Sequence, residues 1–165
     1  MNAARDGYTL LVFASAIAIN ATLFTNLNFN FKRDITPVAS ILRVPNVILV
    51  NPSFPVQTVP ELIAYARANP GKINMATAGI GTTPHVFGEL FKMMTGVNLL
   101  PVHYRGGGPA LTDLLAGQVQ VMFDPAGEAM GYIKAGKLRG LAVTSATRLA
   151  ALPGHPDGWR LRAGL

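Results

Sequence analysis

Ile73-Asn74-Met75-Ala76-Thr77-Ala78-Gly79-Ile80-Gly81-Thr82-Thr83-Pro84-His85 is the stretch whose reading decides the fold. It reads as a strand, a glycine turn and the opening of a helix. Residues 73–76 are short and mostly apolar, as a buried strand requires. Gly79 and Gly81 reach backbone angles that a side chain forbids. Thr82 or Thr83 can cap the helix, and Pro84 suits a first turn, where no amide hydrogen is needed. An apolar helical run, Val86-Phe87-Gly88-Glu89-Leu90-Phe91-Lys92-Met93-Met94, follows. Such a turn gathers free N–H groups and two hydroxyls at one spot, and the helix dipole adds partial positive charge there. The chemistry fits a carboxylate or a phosphate. The same geometry also serves as a tight βα connection that binds nothing.

Outward from this stretch the pattern repeats. Asn46-Val47-Ile48-Leu49-Val50-Asn51 is a strongly apolar strand ended by Pro52 and Pro55. Thr58-Val59-Pro60-Glu61 opens a helix with a capping threonine and a glutamate three residues on; Leu62, Ile63, Tyr65 and Ala66 give it an apolar face. Asn98 to Tyr104 reads as a strand in which Pro101 points to a sheet edge or end. Arg105-Gly106-Gly107-Gly108-Pro109 is a second glycine turn, and a helix over residues 110–116 follows it. Residues 119–124 alternate like a half-buried strand. A short helix over 129–135 and a last strand over 137–145 complete the series. Strand and helix in alternation predict an α/β layer with a largely parallel sheet. N-terminal to it, Tyr8-Thr9-Leu10-Leu11-Val12-Phe13 predicts a buried strand, residues 17–24 a short helix, residues 26–32 a surface loop and residues 38–42 a second strand.

Composition narrows the function classes. The chain has 165 residues, enough for about one domain or part of a two-lobed one. Half of the residues are hydrophobic, 13% are charged and mean hydropathy is +0.33, so a substantial core is expected and disorder is not. The net charge of +6 would fit nucleic acid, but the basic residues are scattered and never interleave with aromatics, so no nucleic-acid partner is expected. No cysteine is present, which excludes disulfides and thiolate metal sites. His85, His103 and His155 lack metal-ligand spacing, so neither metal nor cofactor is expected. Residues 8–24 are interrupted by Ser15, Asn20 and Thr22 and suit a strand and short helix better than a membrane span. The first residues do not form a signal peptide.

Neither glycine turn is a nucleotide motif. The first lacks the Gly-Lys-Ser/Thr ending of a P-loop, and the second lacks the dinucleotide spacing. No Gly-x-Ser-x-Gly elbow exists, so no enzyme activity is expected. An enzyme with a glycine-turn anion site, or a structural module, remains as an alternative. His85 can pack at the helix start or hydrogen-bond a ligand, and Arg105 can meet an anion or cover the surface. Asp124 stands at the carboxyl end of a strand, where open α/β sheets bind ligands. It can hold an amine or hydroxyl there, or cap the turn at Pro125.

Taken together, these segments resemble a known family. Asp6-Gly7-Tyr8-Thr9-Leu10-Leu11, Pro37-Val38-Ala39, Pro45-Asn46-Val47 and Val50-Asn51-Pro52 resemble Bug-type, or TctC-like, receptors. These are the extracytoplasmic solute-binding proteins of tripartite tricarboxylate transporters. Residues 77–85 look like the family's Ser-Ala-Gly-x-Gly-Ser/Thr-x-x-His turn, and residues 104–110 like its Tyr-Lys/Arg-Gly-x-x-Pro-Ala turn. Residues 117–124 and 135–145 match further family patterns. The match covers residues 3–154.

The resemblance implies a periplasmic-binding-protein type II-like α/β fold, with one near-complete lobe and part of the other. It implies residues 1–45 as a partial first lobe, 46–51 as a crossover strand, 52–137 as the second lobe, 138–145 as the return crossover and 146–165 as an atypical tail. The second lobe's share of a carboxylate site then falls on Thr77, Ala78, Gly79, Gly81, Thr82, Thr83 and His85, and on Tyr104, Arg105 and Gly106, with Asp124 at its strand end. Ser15 belongs to the wall of the first lobe. The implied partners are a small carboxylate ligand and the transporter's membrane components, in the periplasm. The family's export signal, its Pro-Phe-x-x-Gly-Gly loop and its usual C-terminal return are not found in this sequence. As written, the chain is therefore expected to stay in the cytoplasm and to bind weakly or not at all. A shifted reading frame would account for the Arg-rich ending.

Overall fold

A computed structural model describes Ala4 and residues 6–145. The chain divides into two compact units, residues 1–42 and residues 43–165. The unusual ending read at residues 146–165 lies outside the described residues.

The second unit is a five-stranded sheet between two helical layers. Its strands are β1 (Asn46–Val50), β2 (Asn74–Thr77), β3 (Leu100–His103), β4 (Val121–Pro125) and β5 (Arg139–Val143), in the order β3-β2-β4-β1-β5. β2 runs parallel to β3 and to β4, whereas β1 runs antiparallel to both β4 and β5. The largely parallel sheet read from the alternation therefore holds except at β1. That strand enters the sheet between β4 and β5 against the direction of all its companions. Pro101 sits in the edge strand β3, where one row of backbone groups needs no partner.

Side-chain alternation divides the core between the two faces. Ile48 and Val50 of β1, Met75 of β2 and Val121 and Phe123 of β4 join the first cluster. Val56, Val59, Leu62 and Ala66 of helix α3 (Val59–Ala68) and its approach pack there, with Phe91 of α4 (Thr83–Thr95). Val47, Leu49, Ala76 and Met122 face the other way. They meet Ala110, Leu111 and Leu114 of α5 (Gly107–Leu115) and Ala126 and Ala129 of α6 (Ala126–Lys134). Helices on both faces explain why β4 is buried at four consecutive residues, not alternately as its sequence suggested. Each fully buried Leu, Ile or Met contributes about 1.5–3 kcal/mol through removal of apolar surface from water.

Local sequence sets the helix ends. The Thr58 hydroxyl accepts the Glu61 amide at 3.3 Å, and the Glu61 carboxylate accepts the Gln57 amide at 2.7 Å. α4 ends at Gly96, which takes a left-handed φ of 68°. α4 starts at Thr83, with Thr82 at the cap position and Pro84 in the first turn as read from the sequence, whereas α5 starts at Gly107, a few residues earlier than the apolar pattern suggested, because the glycine turn leads straight into helix. α6 likewise begins directly after β4, with Pro125 at its cap.

The first unit differs more from expectation. α1 (Ala16–Leu23) is the short helix read from the sequence. Residues 26–32 are not all loop: α2 (Phe31–Asp34) begins there, capped by the Asn30 side chain, which accepts the amides of Lys32 and Arg33. Residues 8–13 and 38–42 are not strands. Tyr8 is 92% exposed and Val38 81%, and neither segment joins a ladder. A strand exists only through its neighbours' hydrogen bonds, and no ladder forms among the described residues of this unit. Among the described residues, no helix is long and apolar enough to cross a membrane.

Candidate functional site

The parallel register brings the carboxyl ends of β2, β3 and β4 to one edge of the sheet, and β1 starts at that same edge. Thr77 pairs with His103 across β2 and β3, and Asp124 pairs with Val47 across β4 and β1. The Thr77–His85 turn, the Tyr104–Gly106 turn and Asp124 therefore share one end of the second unit. Ser15 lies in the first unit, exposed at the start of α1, and its hydroxyl caps nothing.

The first turn is held by its own side chains. Thr77 is fully buried; its Oγ1 accepts the Gly79 amide at 3.4 Å and lies 2.8 Å from His103 Nδ1. The Thr82 hydroxyl donates to the Gly79 carbonyl at 2.6 Å, and the Thr82 amide donates to the same oxygen. Thr82 thus occupies the cap position without capping, since its hydroxyl folds back into the turn. Gly79 has φ +120° and Gly81 φ +77°. A Cβ on Gly79 would stand 3.4 Å from the Tyr104 carbonyl oxygen, so the two glycine turns lie against each other. In the first turn of α4 the amides of Thr83 and His85 have no intrahelical acceptor, and Pro84 has no amide hydrogen to satisfy.

His85 Nδ1 accepts the Gly81 amide at 3.3 Å, which places the neutral ring's proton on Nε2. Its ring meets that of His103 edge-on, with centroids 5.1 Å apart. Burial, followed by the nearby His103, pushes the His85 pKa down. The imidazole is therefore neutral near pH 7 and acts as a hydrogen-bonding group, not as a fixed cation.

In the second turn, Tyr104 reaches along α5 and donates its phenol proton to Asp113 at 2.6 Å. Burial, reinforced by that bond, raises its pKa to about 12. The Tyr104 amide also donates to the Thr77 carbonyl at 3.0 Å, tying the two turns together. Arg105 is exposed, and among the described residues no carboxylate pairs with it. Ala78 and Gly106 contribute backbone only.

Asp124 differs from these groups. It is 1% exposed, and neither carboxylate oxygen has a hydrogen-bond partner in the protein. Burial, with a smaller contribution from Glu128, raises its pKa to about 7. It does not cap the Pro125 turn. The sequence reading missed His103, Asp113 and Glu128. Glu128 follows Asp124 at the spacing of one helical turn, which is a usable signal only once α6 is known to begin at Ala126. Among the described residues, no group of three or more His, Cys, Asp or Glu could hold a metal ion.

The chain as a whole has known counterparts. The sequence profile of the tripartite tricarboxylate transporter family receptor, TctC, matches residues 1–158. The chain belongs to this receptor family. Protein BugT of Bordetella pertussis is 34% identical over 155 residues, covering 93% of this chain and 48% of BugT. Among solved structures, Rpa4515 of R. palustris with adipate is 39% identical with a TM-score of 0.76, covering 81% of this chain and 45% of that one. MatC from Rhodopseudomonas palustris with bound malate is 28% identical with a TM-score of 0.78, covering 84% and 47%. A TctC solute binding protein from Polaromonas is 30% identical with a TM-score of 0.65, covering 69% of this chain and 39% of that one. The chain spans about half the length of the curated relatives it matches.

Proposed function

We propose that this TctC-family chain supplies one wall of a solute-binding site for a small carboxylate, as part of a receptor that delivers its ligand to a tripartite transporter. The carrying observation is the convergence of two glycine turns, each leading into a helix N-terminus, at the carboxyl ends of parallel strands. The free Thr83 and His85 amides and the Thr83 hydroxyl would take one carboxylate, with the His85 ring and Arg105 beside them. Adipate and malate in the solved relatives support this ligand class. In the whole receptor, β1 and β5 would be the crossovers between two lobes, Ser15 would line the opposite wall, and the site of action would be the periplasm beside the membrane components.

The test is a two-dimensional NMR titration of the chain with adipate and with succinate at millimolar concentrations. Saturable shifts confined to the amides of residues 78–85 and 104–107 are expected. Unchanged spectra with both acids, or shifts spread over the surface as for general salt, would overturn the reading.

A further inference from the structure

We propose that the carboxylate site takes up a proton together with its ligand, and that this proton goes to Nδ1 of His85, which the Gly81 amide and His103 keep unprotonated until the ligand arrives. The inference rests on the carboxylate-site reading above and deepens it.

The observation is a pair of imidazoles built into the first glycine turn from two different elements. His85 stands in the first turn of α4 and His103 closes β3, and their rings meet edge-on with centroids 5.1 Å apart. Each ring is tied to the turn through its Nδ1. That of His85 accepts the Gly81 amide at 3.3 Å. That of His103 lies 2.8 Å from the Thr77 hydroxyl, which itself accepts the Gly79 amide. Neither residue is closed off: His85 is partly buried and His103 is exposed. The charged groups that act on the His85 ring are His103 from β3 and Glu89 and Lys92 from its own helix, and the last two pair with each other at 2.9 Å. From the neighbouring elements, Tyr104 and Asp113 bond each other, and Arg105 and Asp124 stand at the same strand-end edge.

The Gly81 bond opposes protonation. An imidazolium carries hydrogen on both nitrogens, so Nδ1 would turn from acceptor to donor and face the Gly81 amide donor to donor. Burial, followed by the neighbouring His103, pushes the same way and holds the free ring's pKa below its ordinary value. A bound carboxylate reverses the balance. Its reach is set by covalent structure: the His85 amide is a free donor in the first turn of α4, so an anion held there is held by the residue that carries the ring. The negative charge favours the imidazolium and offers its N–H groups an acceptor. The complex then binds more protons than the free chain. By linkage, affinity rises as pH falls through the window between the free and the bound values.

NMR titration of the His85 ring in the whole chain tests this, with fumarate as the probe because both of its carboxyls stay ionised over the range used. Without fumarate the neutral ring should show the Nε2–H tautomer and protonate below the ordinary range of histidine. In saturating fumarate its midpoint should rise, and calorimetry in buffers of different ionisation enthalpy should show net proton uptake. Affinity should be about fivefold tighter at about pH 5.5 than at about pH 8, the size of one partly exposed ion pair. His103→Gln should raise the His85 midpoint of the free chain. Asp124, with its pKa raised to about 7, titrates in the same window, so the ligand-induced rise at His85 should persist in Asp124→Asn. An unchanged His85 midpoint in saturating fumarate, or a rise abolished by Asp124→Asn, would overturn the inference and leave the carboxylate site standing. Absence of saturable amide shifts with fumarate throughout the range would overturn both.

Discussion

At the residue scale, Asp124 is the carboxyl whose ionisation the fold opposes. Its pKa rises from 3.8 to about 7 because burial penalises the charged form and Glu128 adds repulsion. The sign follows from linkage. Between these two values the folded chain keeps a proton that the unfolded chain has released, so stability falls as pH rises through that window. The ceiling for a shift of about three units is about 4 kcal/mol. Urea unfolding at about pH 5 and about pH 8 should show a loss that is largely absent in Asp124→Asn. A variant with the same pH profile as the parent would mean that this carboxyl is not the titrating group. Asp124 was picked out in the sequence by its place at a strand end. Its lack of partners was not legible there, because hydrogen-bond satisfaction depends on what α5 and α6 bring over it.

At the element scale, Gly88 sets how near α4 lies to the sheet. A Cβ built on Gly88 would lie 2.3 Å from Met75 Sδ and 2.5 Å from its Cε, inside a core where Met75 is fully buried. Gly88 therefore lets the helix approach β2, at the expense of helix propensity. Gly88→Ala gains about 1 kcal/mol of propensity but forces Met75 aside, for a net destabilisation of about 1–2 kcal/mol. Met75→Val in the same chain should recover part of that loss in chemical denaturation. Full additivity of the two changes would argue that the contact is not the cause. The glycine turns were readable because Gly79 and Gly81 mark positive φ in sequence. The mid-helix Gly88 was readable only as part of an apolar run, since its purpose lies in a partner 13 positions earlier in the chain.

At the scale of the whole molecule, the two units differ in what protects their backbones. The sheet unit buries β1 entirely, while the described residues of the first unit include none that are buried. Amide exchange tracks local opening, which is easiest where few apolar contacts must break. Deuterium uptake should therefore be complete within seconds to minutes over residues 8–42, and slowest over β1, β2 and β4. Comparable protection in residues 8–13 and in β1 would contradict this difference.

The sequence by itself determined the glycine turns, the cap at Thr58, the edge position of β3 and the α/β alternation, because each rests on a backbone preference or a local period. Its motifs also carried the resemblance to the receptor family. Tertiary structure alone decided the reversed direction of β1, the burial of β4 on both faces, the exposure of residues 8–13 and 38–42, and the isolation of the Asp124 carboxyl. The physical reason is common to all four. Strand direction, two-sided burial and hydrogen-bond satisfaction are properties of neighbours, and these neighbours are brought together by the fold and not by the local order of residues.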